Sequence, residues 1–98
     1  MRYAVYILAC YKGKDFSCYY TGQTNYLKRR LKQHYKAVKK KDTKKFTGRF
    51  DYVKLVWYKK VMTRKGAVKE ERHIKTLTQP GKENYMDQYG KILNRIEK

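Results

Sequence analysis

The stretch Tyr3-Ala4-Val5-Tyr6-Ile7-Leu8-Ala9, followed by Lys12-Gly13-Lys14-Asp15 and then by Ser17-Cys18-Tyr19-Tyr20-Thr21-Gly22, decides the fold. The first run is almost unbrokenly apolar and aromatic. The polar, Gly-containing four have the chemistry of a hairpin turn, and the second run is rich in strand formers and stops at Gly22. An antiparallel hairpin is predicted, with strands at residues 3–9 and about 17–21. The opening decapeptide MRYAVYILAC has no small-residue cleavage site, so it reads as a first strand and not as a signal.

Working outward, Thr24 or Asn25 offers an N-cap to a helix in which Leu27, Leu31, Tyr35 and Val38 recur at helical spacing. Residues 39–48 hold five lysines and no apolar periodicity, which predicts a mobile basic loop. Residues 51–60 return to β character, with Val53, Leu55 and Trp57 alternating against Tyr52, Val56 and Tyr58. A second helix is expected over about residues 63–77, with Ala67, Ile74 and Leu77 inward. Thr78 and Pro80 then open a third, whose apolar stripe would be Tyr85, Met86, Tyr89, Ile92, Leu93 and Ile96. The expected class is α+β: a small three-stranded, mainly antiparallel sheet flanked by helices, order β-β-α-β-α-α, in a single domain over residues 1–98.

The chain carries 26 Lys plus Arg against 8 Asp plus Glu, a formal charge of +18, and such a field attracts polyanions. Nucleic acid is the default partner, although acidic membranes, acidic proteins and ribonucleoprotein assemblies also attract basic chains. A hydrophobic fraction of 41% with 15% aromatics is too rich for a disordered basic tail and fits a packed domain. No apolar run reaches membrane-span length, and a cytoplasmic setting with no membrane partner is expected. Cys10 and Cys18 lack the spacing and further ligands of a zinc site, so free thiols are expected, though they could face each other across the hairpin.

On the first helix Lys28, Arg29, Lys32 and Lys36 fall opposite the apolar stripe, where solvent or a phosphate backbone would meet them. Arg30 and His34 stand one turn apart on its flank and reach toward the sheet. On the second helix Glu70 and Glu71 fall inside or beside the inward arc, and a carboxylate so placed must be paired, protonated or bound to a cation. Either a structural Arg30 ion pair or an anion-and-cation site satisfies this pattern, and periodicity does not choose between the two glutamates.

Together these residues acquire a resemblance. Ala4-Val5-Tyr6, then Tyr20-Thr21-Gly22, then Leu27-Lys28-Arg29-Arg30-Leu31-Lys32-Gln33-His34 resemble the paired strand motifs and first-helix signature of the GIY-YIG nuclease family. Lys45-Phe46-Thr47-Gly48-Arg49, Val53-Lys54-Leu55-Val56, Arg64 and Glu71-Arg72-His73-Ile74-Lys75 resemble later blocks of its small stand-alone members, so the similarity runs from Tyr3 to about Leu77. Ala4 and Val5 replace a Gly and an Ile, Thr21 replaces an Ile, and Gln23 stands where some members place a lysine. The resemblance implies Tyr6, Tyr20, Arg30, His34 and Glu71 as catalytic residues, with Glu71 binding one divalent ion, Mg²⁺ or Mn²⁺. Tyr6 would deprotonate the attacking water with help from Tyr20 or His34, the choice between the tyrosines staying open. Lys28, Arg29, Lys32, Lys36, Lys44, Lys45, Arg49 and Arg64 are the expected nucleic-acid contacts.

The function so implied is a metal-dependent endonuclease acting on DNA, or on RNA, by one-metal hydrolysis. A lone catalytic domain would show low sequence preference by itself, recognise structure such as branches and flaps, or rely on a protein partner for targeting. The competing readings are a nucleic-acid-binding protein that keeps the scaffold without turnover, and a basic component of a ribonucleoprotein assembly. Of the remaining aromatics, Tyr3, Tyr19, Tyr52, Tyr58, Tyr85 and Tyr89 are assigned to packing, while Tyr11, Tyr26 and Phe46 lie near basic residues where they could stack on bases.

Overall fold

The computed structural model describes residues 3–93. Strands β1 (Tyr3–Lys12) and β2 (Asp15–Thr24) form the expected hairpin, closed by the two residues Gly13 and Lys14. Both strands run longer than the sequence pattern suggests, because cross-strand pairing continues through the polar flanks down to Lys12 opposite Asp15. Helix α1 (Leu27–Lys40), a 3₁₀ turn (Phe46–Arg49), β3 (Tyr52–Val61), α2 (Arg64–Lys75), α3 (Gln79–Gln88) and β4 (Lys91–Ile92) follow.

The sheet has four strands, in the order β2-β1-β3-β4, and not three. The expected third helix stops early. Thr78 caps α3 by accepting from the Gly81 N–H, but Gly90 adopts a positive φ of 67° and turns the chain into β4. Its missing side chain matters too, since a Cβ there would lie 2.6 Å from the Trp57 indole. Ile92 therefore pairs with Trp57 in the sheet instead of extending a helical stripe, and Leu93 is exposed. Apolar spacing of three and four residues fits both outcomes; the glycine decides. Ile96 lies outside the described residues.

β1 lies between β2 and β3 and is covered on both faces, which is why its sequence is apolar without alternation. Val5, Ile7 and Ala9 meet Ala67 and Ile74 of α2 and Met86 of α3 on one face. Tyr6, Leu8 and Cys10 meet Leu27, Leu31 and Val38 of α1 on the other. Truncating one of these buried side chains to Ala would cost about 2–5 kcal/mol. β3 departs from simple alternation: Ile7 pairs with Trp57 but Leu8 with Leu55, so Val56 is a bulge residue. Val53, Leu55 and Tyr58 consequently face α1, while Val56 and Trp57 both face α2.

Three local expectations are corrected. α1 begins at Leu27 with Tyr26 as its N-cap and no side-chain cap bond, Thr24 instead accepting from the Tyr26 N–H. The lysine-rich segment is not a simple loop: α1 extends to Lys40, and the 3₁₀ turn then folds back on it. Gly48 makes that possible, because a Cβ there would fall 1.9 Å from the Asp42 carbonyl oxygen. Tyr52 and Tyr89 are about half exposed, so only part of their rings serves packing.

Asp51 ties the hairpin to the end of α1, its oxygens accepting from Lys41 Nζ at 2.6 Å and the Gly13 N–H at 2.7 Å. Those two donors hold its carboxyl below the usual range. Cys10 and Cys18 face each other across β1 and β2 as free thiols, the former buried. Among the described residues, Thr21 Oγ1 is the buried side-chain polar atom without a partner. No helix among them is long and apolar enough to cross a membrane.

Candidate active site

Tyr6 is fully buried in the central strand on the face covered by α1. Its neighbour across the hairpin is Gly22, and a Cβ at that position would lie 2.5 Å from the Tyr6 hydroxyl. The glycine that ends the second sequence motif thus gives the phenol its room. The hydroxyl lies 2.7 Å from Nε2 of His34, whose Nδ1 lies 3.0 Å from Thr47 Oγ1. α1 supplies the histidine, β1 the phenol and the 3₁₀ turn the threonine, so three segments distant in sequence close on one imidazole.

Burial, with the charges of Arg30 and Lys45 beside it, pushes the His34 pKa down to about 4, so the ring is neutral at pH 7. A neutral imidazole has one donor and one acceptor nitrogen. Burial likewise pushes the Tyr6 phenol well above its ordinary value, with Tyr20 and Glu71 adding to the rise and Arg30 opposing it. Tyr6 therefore keeps its proton. The tautomer that uses every group has the phenol donating to Nε2 and Nδ1–H donating to Thr47.

Arg30, on the same flank of α1, bonds the Tyr6 hydroxyl, and the charge of Glu71 on α2 also bears on the phenol. Glu71 comes from the other face of the sheet, α2 packing against β2, the edge strand on which Tyr20 and Gly22 lie. Of the two alternatives the sequence left open, the structural Arg30–glutamate ion pair is absent among the described residues. Glu71 pairs with Lys75 at 3.0 Å within its own helix, and Glu70 with Lys59 at 3.2 Å. The Glu71–Lys75 pair is an i,i+4 contact whose lysine is 54% exposed, so it holds the carboxylate only weakly.

Between α1 and the 3₁₀ turn lies an open cleft of about 280 Å³, walled by Tyr20, Arg30, Gln33, His34, Lys45, Phe46 and Thr47. Tyr6 and Glu71 do not line it. Tyr20 is thus the phenol that faces the cleft, its ring 5.2 Å from that of His34 and 6.3 Å from that of Tyr6. Sequence reasoning passed over Thr47, Gln33 and the wall-forming role of Phe46. The motif Phe46-Thr47-Gly48 was visible, but nothing in it announced that the segment would fold back onto His34.

Lys28, Arg29, Lys32 and Lys36 are exposed along the outer side of α1, with Lys44, Lys45 and Arg49 exposed on the segment that closes the cleft. Arg64 opens α2, which covers the opposite face, so it stands apart from this group.

No group of three His, Cys, Asp or Glu side chains capable of holding a metal occurs among the described residues. What bears on the phenol is a partly buried carboxylate, Glu71, and a single carboxylate suits a hard ion that keeps most of its own water. No curated protein and no solved structure matches the chain. The family model of the GIY-YIG catalytic domain, however, matches residues 2–85 of the 98. That span takes in the hairpin, the helix that carries Arg30 and His34, and the helix that carries Glu71, and by it this chain belongs to the GIY-YIG nuclease family.

Proposed function

We propose that the protein is a divalent-metal-dependent endonuclease that hydrolyses phosphodiester bonds in DNA, or in RNA, with a single ion. The observation that carries this reading is the cleft that Tyr20, Arg30 and His34 wall together, with the Tyr6 phenol bonded to His34 behind it and the Glu71 charge bearing on that phenol. A phosphodiester repels nucleophiles, so its hydrolysis needs cations at the phosphoryl oxygens and a positioned water. Mg²⁺ or Mn²⁺ held by Glu71 would supply positive charge at the leaving oxygen. Arg30, at the wall of the cleft, neutralises a non-bridging oxygen of the bound phosphate.

Tyr20 is the phenol placed to contact the attacking water, because it borders the cleft while Tyr6 does not. The resemblance had put Tyr6 first in that role, with Tyr20 or His34 assisting. The Tyr6–His34–Thr47 chain has a supporting part: it fixes the imidazole, which burial keeps neutral, beside an Arg30 guanidinium that also bonds the Tyr6 hydroxyl. The basic outer side of α1 and the Lys44–Lys45 segment hold the nucleic-acid backbone through phosphate contacts.

The test is nicking of supercoiled and branched DNA, and cleavage of RNA, with Mg²⁺ or Mn²⁺, by wild type and Glu71→Ala. Glu71→Ala should lose at least a hundredfold in rate, with salt-dependent binding unchanged. Cleavage that survives Glu71→Ala, or wild type that never cuts above background, would replace this reading by that of a binding protein on the same scaffold.

A further inference from the structure

The side chain that the proposed hydrolysis leaves unused is Phe46. It is 42% exposed at the rim of the cleft, although a neighbouring residue, Thr47, is almost wholly buried. The ring is not loose. It stacks on Tyr20 at 5.5 Å with an interplanar angle of 26°, and its other contact is Phe50 at 5.3 Å. Its backbone is held as well: Thr47 is bonded to His34, and Gly48 is pressed against the Asp42 carbonyl.

Single exposed apolar side chains are common and need no explanation. Here, however, a two-ring platform of Phe46 and Tyr20 borders the same cleft as Arg30, Lys45 and Gln33. A flat apolar ring, cations and an amide at one opening are what a nucleotide with an uncovered base requires: a face to stack on, charge for its phosphate and a group for its base edge. Bases inside a duplex are covered on both faces. The geometry points to a nucleobase-stacking site on Phe46 that takes an unpaired nucleotide beside the phosphate to be cut. The substrate class is then a single-stranded segment, flap or loop in preference to continuous duplex. This inference rests on the nuclease reading of the cleft.

The experiment uses the full chain as Glu71→Ala, so that no probe is consumed, and a single-stranded oligodeoxynucleotide with one 2-aminopurine. The identical strand annealed to its complement is the control. Stacking quenches 2-aminopurine, so the single strand should dim on binding. Phe46→Leu, which keeps apolar bulk but no ring face, should weaken single-strand binding about tenfold or more and duplex binding by less than about twofold. Phe46→Trp should restore it. Equal loss for both probes, no loss for either, or an unquenched single strand would overturn the proposal. Because binding is read without turnover, absence of cleavage by the wild type would refute the nuclease reading while leaving this result intact.

Discussion

Acidifying the protein should remove stability through one side chain, and the size of the effect follows from the buried imidazole. His34 is only 8% exposed, and its pKa in the folded state is about 4, against 6.5 for an unperturbed histidine. A depressed histidine pKa means that the unfolded chain binds the proton more tightly. The stabilisation is therefore complete above about pH 6.5 and is lost as the pH falls toward 4. Its ceiling is about 3 kcal/mol, and between pH 7 and pH 4.5 about 2 kcal/mol should disappear. For a domain of this size that is a large share of the total. Urea unfolding of wild type and His34→Gln at fixed ionic strength over that range isolates the imidazole's part, since every other side chain, Asp51 included, is common to both proteins. The variant should be less stable at pH 7 and show a flatter pH dependence, the two curves converging toward pH 4. Parallel curves, or an imidazole that titrates near pH 6.5 by NMR, would refute the account of a neutral His34 locked between Tyr6 and Thr47.

Gly22→Ala should displace the Tyr6 ring from His34, because the new Cβ would meet the hydroxyl at 2.5 Å; a loss of about 1–3 kcal/mol in urea unfolding, with reduced cleavage, is expected, and wild-type behaviour in both would contradict the packing described. Thr21→Val replaces the unpartnered buried hydroxyl by an isosteric methyl, and thermal unfolding should show a gain of up to about 1 kcal/mol. The two tyrosines should separate cleanly. Tyr6→Phe should lower stability by about 1–3 kcal/mol by orphaning His34 Nε2, whereas Tyr20→Phe should lower turnover with a melting temperature close to that of wild type.

How much of this was legible in the sequence depended on whether the deciding contact was local. The hairpin, the amphipathic face of α1 and the Thr78 cap follow from adjacent residues and were read directly. Their order also carried the resemblance that named Tyr6, Tyr20, Arg30, His34 and Glu71 together. The fourth strand was missed because Gly90 ends α3 and sets Ile92 against Trp57, a pairing 35 residues back in the chain. The alternation read in β3 held through Val56 and failed at Trp57 and Tyr58, because a bulge answers to the partner strand, where Ile7 pairs with Trp57 and Leu8 with Leu55. The partition of work between the two phenols was hidden for a similar reason. Tyr6 and Tyr20 look alike as strand tyrosines, but the first lies in the central strand beneath α1, while the second, on the edge strand, borders the cleft that the fold-back of Phe46 and Thr47 closes.

The spare residue in β3 has a consequence for how chains of this type can diverge. Losing or gaining one residue within a paired strand ordinarily turns every later side chain to the wrong layer. Removal of Val56 itself would be different: Leu55 would stay opposite Leu8 and Trp57 opposite Ile7, so the indole would remain on the α2 side, away from the phenol and imidazole. What would be forfeited is one buried valine and the carbonyl that receives the Leu93 N–H, which anchors the returning strand. Relatives one residue shorter at this point should therefore keep the layer of Tyr6 and His34 intact and show their divergence in how the segment after α3 is fastened to the sheet.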